Sequence, residues 1–231
     1  MVQRGLICVA VMAETCEGVL AAVAPVVELV DVIEIRIDGL REPLTRACIA
    51  ALAKPVLATN RPIWEGGRFT GSEQERIDRL DAALRDGARL VDIELRTAPE
   101  LCARLLSTAH RFDAKALVSS HDFTATPSAG RLSDLLLQMI ASGADIGKIV
   151  TTATSPADTL RLLTLQQEAM TAAFPLCAFA MGEAGTISRL ATLYLGGFMT
   201  YAALSQEQAT APGQITIHNL HRLLARLDPS S

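Results

Sequence analysis

An α/β fold of the (β/α)8 TIM-barrel type, in one domain over 1–231, is predicted by three observations. Apolar, β-branched runs of strand length alternate with amphipathic, Ala/Leu-rich runs of helix length from end to end. No linker or shift in composition divides the chain. Eight such pairs in 231 residues average about 29 residues each, near the lower end of what this barrel needs. A doubly wound open sheet is the alternative, but no GxGxxG follows the first strand.

Taken in order, the first strand is predicted over Leu6 to Ala13. This run is far short of the roughly 20 residues of a membrane span, and it reads as a strand buried on both faces rather than a signal peptide. A helix begins near Cys16. The second strand, Val32 to Ile37, leads to a helix near Pro43, and the third, Pro55 to Asn60, to one near Ser72, a residue type that helix starts favour. The fourth, Leu90 to Leu95, precedes a helix at Pro99, where proline suits the first turn. The fifth, Ala116 to Ser120, precedes a helix near Ser128, and the sixth, Ile146 to Thr151, one near Pro156. The seventh, Leu176 to Met181, precedes a helix near Thr186, and the eighth, Phe198 to Ala203, a last helix from Ile215 to Leu227.

Composition narrows the function. Half the residues are hydrophobic and 20% charged, which excludes a disordered chain. The net charge is −4 and no lysine and arginine stripe forms, so no nucleic-acid partner is expected. The five cysteines, Cys8, Cys16, Cys48, Cys102 and Cys177, are odd in number and widely spaced. That argues against a disulfide framework or a zinc knuckle and fits a reducing cytoplasm.

Active sites of this fold lie where strands end and the following loops begin, and unusual polar residues collect there. In Val32-Ile-Glu-Ile-Arg-Ile-Asp38 a period of two puts Glu34, Arg36 and Asp38 on one face. Facing the barrel mouth they can pair and meet ligand; facing outward they would be trapped under helices. Asp92, Glu94 and Arg96 repeat the device in the fourth strand, where a structural role is favoured.

The chain has eighteen arginines and only Lys54, Lys115 and Lys148 as lysines, so a lysine retained inside a strand invites a chemical reason. Lys148 is apolar on both sides in sequence, and an amine, unlike a guanidinium, can shed its proton there and act as a nucleophile toward a carbonyl. His121 directly follows an apolar strand and is the natural general base or acid. His218 and His221 lack a third metal ligand, and His110 reads as surface. Arg61 is followed by Glu65-Gly66-Gly67, a carboxylate on a turn that permits close backbone approach and can orient an imidazole. Arg189 can hold a carboxylate bidentately, and Ala211-Pro-Gly-Gln214 suits a lid.

Together, Glu34-x-Arg36-x-Asp38, Arg61 with Glu65-Gly-Gly67, Ser120-His-Asp-Phe123, Gly143-Ala-Asp-Ile-Gly-Lys148, Met181-Gly with Ser188-Arg189, and Ala211-Pro-Gly-Gln214 resemble the type I 3-dehydroquinate dehydratases. The resemblance implies a shikimate-pathway hydro-lyase that converts 3-dehydroquinate to 3-dehydroshikimate without metal or organic cofactor. By that likeness Lys148 forms a Schiff base with the ring ketone, His121 moves the proton and Glu65 partners the histidine. Arg189 and Gln214 hold the substrate carboxylate, Glu34, Arg36 and Arg61 grip the ring hydroxyls, and Met181 belongs to the substrate pocket. Thr210, also in that pocket, stands where the family more often has serine, and Pro62 where a small hydroxylic residue is common. The likeness further implies a homodimer. Two other readings stay open: a Schiff-base aldolase on the same barrel, which would carry a phosphate-binding loop near strands seven and eight, and a non-catalytic metabolite-binding barrel. The chain ends at Ser231, so no fused shikimate dehydrogenase domain is expected.

Overall fold

The computed structural model describes residues 4–211 and 213–227. Eight strands, β1 (Leu6–Val11), β2 (Val32–Arg36), β3 (Val56–Thr59), β4 (Leu90–Glu94), β5 (Lys115–His121), β6 (Ile146–Thr152), β7 (Leu176–Met181) and β8 (Met199–Ala202), form one sheet. Their order is β7-β6-β5-β4-β3-β2-β1-β8, with every pairing parallel. At the seam between β7 and β8 the Phe198 N–H still donates to the Leu176 carbonyl at 2.9 Å, so the barrel is nearly closed. The helices α1 (Cys16–Val23), α2 (Arg46–Ala51), α3 (Glu73–Arg85), α4 (Pro99–Arg111), α5 (Ala129–Ala141), α6 (Pro156–Thr171), α7 (Thr186–Tyr194) and α8 (Ile217–Leu227) alternate with the strands. The (β/α)8 barrel is therefore the observed fold, and the doubly wound sheet is not.

Local chemistry explains most helix starts. Ser72 and Ser155 close capping boxes with Glu75 and Asp158, Ser128 accepts from the Arg131 N–H, and Pro99 and Pro156 occupy first turns. Two starts fall later than the sequence predicts. α2 begins at Arg46 rather than near Pro43 because Thr45 supplies the cap, accepting from the Cys48 N–H. α8 begins at Ile217 because Ala203 and Thr216 form a bridge that holds the preceding segment extended.

Two apolar layers follow from the alternation of side chains along each strand. Ile33 and Ile35 of β2 join the layer between sheet and helices, together with Ile7, Val9, Ile77 and Leu80. The barrel's interior holds the other layer, built on Val32, Leu57, Leu90, Leu117, Ile146 and Met199. Two residues further along each of these strands the inward side chain is Glu34, Thr59, Asp92, Ser119, Lys148 and Tyr201. The interior thus changes from apolar plug to polar mouth within one pleat. No helix among the described residues is long and apolar enough to cross a membrane.

One expectation is overturned: Cys16 and Cys48 form a disulfide between α1 and α2, while Cys8, Cys102 and Cys177 are free and buried. A separation of 32 residues carries no local signature, so only the packing of the two helices reveals the pair. Closing a loop of that size removes about 3–4 kcal/mol of chain entropy from the unfolded state. The C16A variant is expected to unfold at lower urea concentration, by up to that free energy. Coincident wild-type and variant unfolding curves would show that the bond adds nothing.

Candidate active site

Lys148, His121 and Glu65, together with Glu34, Arg36, Arg61, Met181, Arg189, Thr210 and Gln214, line one cavity at the C-terminal end of the strands, of about 550 Å³ counting its open mouth, whereas Asp38 lies outside it. Lys148, buried in β6, points its Nζ inward to 3.2 Å from Asp92 Oδ2 and 3.7 Å from Glu34 Oε1. The Tyr201 ring lies against it, with its centroid 4.3 Å from Nζ. The amine therefore sits between two carboxylates, although its neighbours in sequence are apolar. Glu34 is in turn held by the Thr59 hydroxyl at 2.7 Å.

His121, the last residue of β5, brings Nδ1 to 2.8 Å from Glu65 Oε2. Glu65 ends a 3-10 turn, Ile63–Glu65, that Gly66 closes in the left-handed conformation at φ 74°. Gly67 is required by contact: a Cβ there would lie 1.9 Å from the Arg61 carbonyl oxygen. The paired glycines fold this loop back on itself and set the carboxyl against the imidazole.

Arg61 is the centre of the buried charges. Its Nη1 donates to Glu94 Oε1 at 2.6 Å and to the Ser119 hydroxyl at 2.8 Å, and its Nη2 to Asp92 Oδ2 at 2.8 Å. Glu65 Oε2 lies 3.7 Å from the same Nη1. Three of the five N–H donors of a guanidinium are thus committed to the protein. Arg36 forks onto Asp38 at 2.8 and 2.6 Å, and Asp38 also accepts from the Arg61 and Arg68 backbone N–H groups. Although burial pushes Asp38 up, the Arg36 contact holds it below its usual range.

On the far wall Arg189, buried in α7, lays its guanidinium 4.9 Å from the Phe179 ring centroid. Burial lowers its pKa to about 10, so it remains a cation at neutral pH. Met181 ends β7 in the same wall. Gln214 folds back on the lid: its Oε1 accepts from the Thr210 and Ala211 N–H groups at 2.8 and 3.3 Å, and its Nε2 donates to the Thr210 hydroxyl at 3.2 Å. Pro212, also named in the lid motif, lies outside the described residues.

Some members of the site were not foreseen. Asp92, for which the sequence favours a structural role, also touches Lys148, and Arg61 and Lys148 outweigh its burial to hold it ionised. Arg96 does not complete the fourth-strand cluster; it stacks on Trp64, 5.1 Å from the ring centroid, and the second cation on Glu94 is Arg76 of α3. Helical spacing carries a usable signal, since Arg76 lies on the buried stripe of Ile77, Leu80 and Leu84. Tyr201 could be found from the inward parity of β8, which it shares with Met199. Elsewhere, His221 Nε2 lies 2.7 Å from the Leu29 carbonyl, and His110 is an exposed partner of Asp145. No group of metal-ligating side chains occurs among the described residues.

Comparison with known proteins bears on this arrangement. A family model described as type I 3-dehydroquinase matches residues 7–230. The chain is 42% identical over 196 residues to the 3-dehydroquinate dehydratase of Desulfotalea psychrophila, covering 85% of this chain and 87% of that one. The solved 3-dehydroquinate dehydratase of Geobacillus kaustophilus has a TM-score of 0.88 at 32% identity, covering 98% of this chain and 92% of its own. The type I 3-dehydroquinate dehydratase of Clostridium difficile, solved with covalently modified comenic acid, also has a TM-score of 0.88, at 26% identity, covering 99% of this chain and 94% of its own.

The His121 and Glu65 contact has a measurable pH signature. Burial, reinforced by the charges of Glu94 and Asp92, pushes Glu65 up to about 8, while burial drives His121 well below its ordinary value of 6.5. A carboxyl raised on folding favours the folded state while protonated, and this contribution is lost as pH rises from its unfolded value of 4.5 through about 8. The histidine's opposing slope fades above its unfolded value of 6.5 and is nearly gone by about pH 7.5. Between pH 6.5 and 8 the unfolding free energy is expected to fall by up to about 1.4 kcal/mol per pH unit through this group. E65Q should flatten that part of the profile, and an unchanged slope in E65Q would assign the proton elsewhere.

Proposed function

The chain belongs to the type I 3-dehydroquinase family, and from that membership we propose that Lys148, His121 and Glu65 carry its chemistry through a Schiff base. As a type I 3-dehydroquinate dehydratase, a hydro-lyase of the shikimate pathway, it removes water from 3-dehydroquinate to give 3-dehydroshikimate. The observation that carries the mechanism is one amine and one carboxyl-oriented imidazole facing the same small cavity.

Lys148, having shed one proton to solvent, adds to the ring ketone, and the resulting carbinolamine takes a proton back on its hydroxyl and loses it as water to give a protonated imine. This cation withdraws electrons from the adjacent carbon and makes its proton far more acidic than in the ketone. In the tautomer whose Nδ1–H donates a hydrogen bond to Glu65, His121 keeps Nε2 as the acceptor for that proton. The electron pair moves into the imine as an enamine, then returns to expel the hydroxyl, which leaves as water with the proton handed back by His121. Hydrolysis of the remaining imine frees the product and regenerates the lysine. Each step draws on side chains of this chain alone.

Binding follows from charge. Arg189 is the cation for the substrate carboxylate, with Thr210 and Gln214 closing over it and Met181 packing against the ring. Glu34, Arg36 and the uncommitted donors of Arg61 read the ring hydroxyls. In this reading Asp92 sets the position of the amine and Arg61 is as much a scaffold for the carboxylates as a contact to substrate.

Reduction with borohydride during turnover of 3-dehydroquinate is expected to leave one covalent adduct per chain, mapped by mass spectrometry to Lys148. K148A should abolish both adduct and turnover while still binding ligand, and K148A with retained turnover would remove the imine from the mechanism. H121A should still trap adduct while kcat falls by about 10²- to 10⁴-fold. An unimpaired H121A would assign the proton to another group. Adduct accompanied by carbon-carbon cleavage products would favour an aldolase.

A further inference from the structure

Arg76 lies on an outer helix, α3, yet it has no exposure to solvent and does not line the cavity. Its place on the helix, beside the fully buried Ile77, Leu80 and Leu84, is one that packing alone would give to an apolar residue. A guanidinium persists there because its donors are met. Nε and Nη2 donate to the two oxygens of Glu73 at 3.0 and 2.9 Å, Nη2 also donates to the Thr97 hydroxyl at 2.7 Å, and Nη1 donates to Glu94 Oε2. Glu94, equally unexposed, gives its other oxygen to Arg61 Nη1 at 2.6 Å. From Arg61 the contacts divide. Nη2 reaches Asp92, which lies 3.2 Å from Lys148, and Nη1 lies 3.7 Å from Glu65, which holds His121.

We propose that Arg76 is a positioning residue for the reaction: through Glu94 it fixes the guanidinium of Arg61 between the carboxylate that touches Lys148 and the carboxyl that touches His121. The proposal rests on the assignment of Lys148 and His121 as the amine and the base. Its physical basis is the full burial of Glu94. Without the cation of Arg76, Glu94 Oε2 would face a dry interior unpaired, a condition that charged groups escape by taking up a proton or by drawing in another cation. Proton uptake loosens Arg61, and drawing Arg61 closer pulls it off Asp92. Both displace the partners of the amine and of the base together, from a position outside the cavity.

The test compares R76Q, R76K and R76Q/E94Q with the wild type, measuring kcat, KM and thermal unfolding. R76Q keeps polarity and most of the reach but loses the charge. It is expected to lower kcat by about 10²-fold, the effect of a misplacement near 1 Å, with a smaller change in KM. R76K, which restores the charge, should recover at least about tenfold of that loss. R76Q/E94Q removes the stranded carboxylate and should recover part of it too, a coupling between neighbours that a purely packing role would not produce. Wild-type kcat in folded R76Q overturns the proposal, as does failure of both R76K and R76Q/E94Q to recover any rate. Should R76Q not fold, R76Q/E94Q carries the test, because Arg61 has still lost an anchor: a rate about tenfold below wild type supports the proposal and a wild-type rate overturns it. Borohydride trapping of the wild type keeps the outcomes separate. Absence of a Lys148 adduct would count against the Schiff base, whatever R76Q does to kcat.

Discussion

The upper end of the barrel has to hold many charges where almost no water reaches, and the guanidinium of Arg61 is what makes that possible. It bonds to Asp92, Glu94 and Ser119 at once and lies beside Glu65. Asp92 and Glu94 are fully unexposed, and removing one partner of such a pair costs about 3–5 kcal/mol because the other charge is left stranded. The cluster is therefore a constraint before it is a site. The charged side chains around Arg61 are placed by the need to pair with their neighbours, and the amine and the imidazole inherit their positions from that pairing.

The same constraint explains why the cluster sits at one end only. Each strand contributes an apolar side chain to the interior and, two residues on, a polar one, so the plug of Val32, Leu57, Leu90, Leu117 and Ile146 lies directly beneath Glu34, Thr59, Asp92, Ser119 and Lys148. The apolar layer closes the cylinder and excludes water from below, which strengthens the electrostatics above it. Around the rim, the Gly66-Gly67 turn and the Thr210 to Gln214 contacts use backbone and short side chains to bring long-range partners into reach.

Much of this was legible along the chain. Lys148 stands out because lysine is rare here, and Glu34 and Arg36 because charges alternate with isoleucine at the period of a strand. The glycine pair after Glu65 signalled a close backbone approach, and the contact with Arg61 is that approach. What was misread shares a cause. Arg96 was grouped with Asp92 and Glu94 by nearness in sequence, but the cation that reaches Glu94 comes from α3, 18 residues away. Cys16 and Cys48 carry no spacing motif because their pairing depends only on how two helices lie against the sheet.

Periodicity by itself determined the eight strands, the order of strands and helices, and which side chains point into the barrel, because these follow from local geometry that repeats every two or 3.6 residues. Strand ends and loop motifs marked most of the chemical groups of the mouth as well, though not Tyr201. Only the tertiary structure decided who pairs with whom: that Lys148 meets Asp92, that His121 meets Glu65 and that Arg76 meets Glu94. Those partners are separated by 56, 56 and 18 residues, and the energy of a buried charge depends on distances of a few ångströms that exist only once the cylinder has closed.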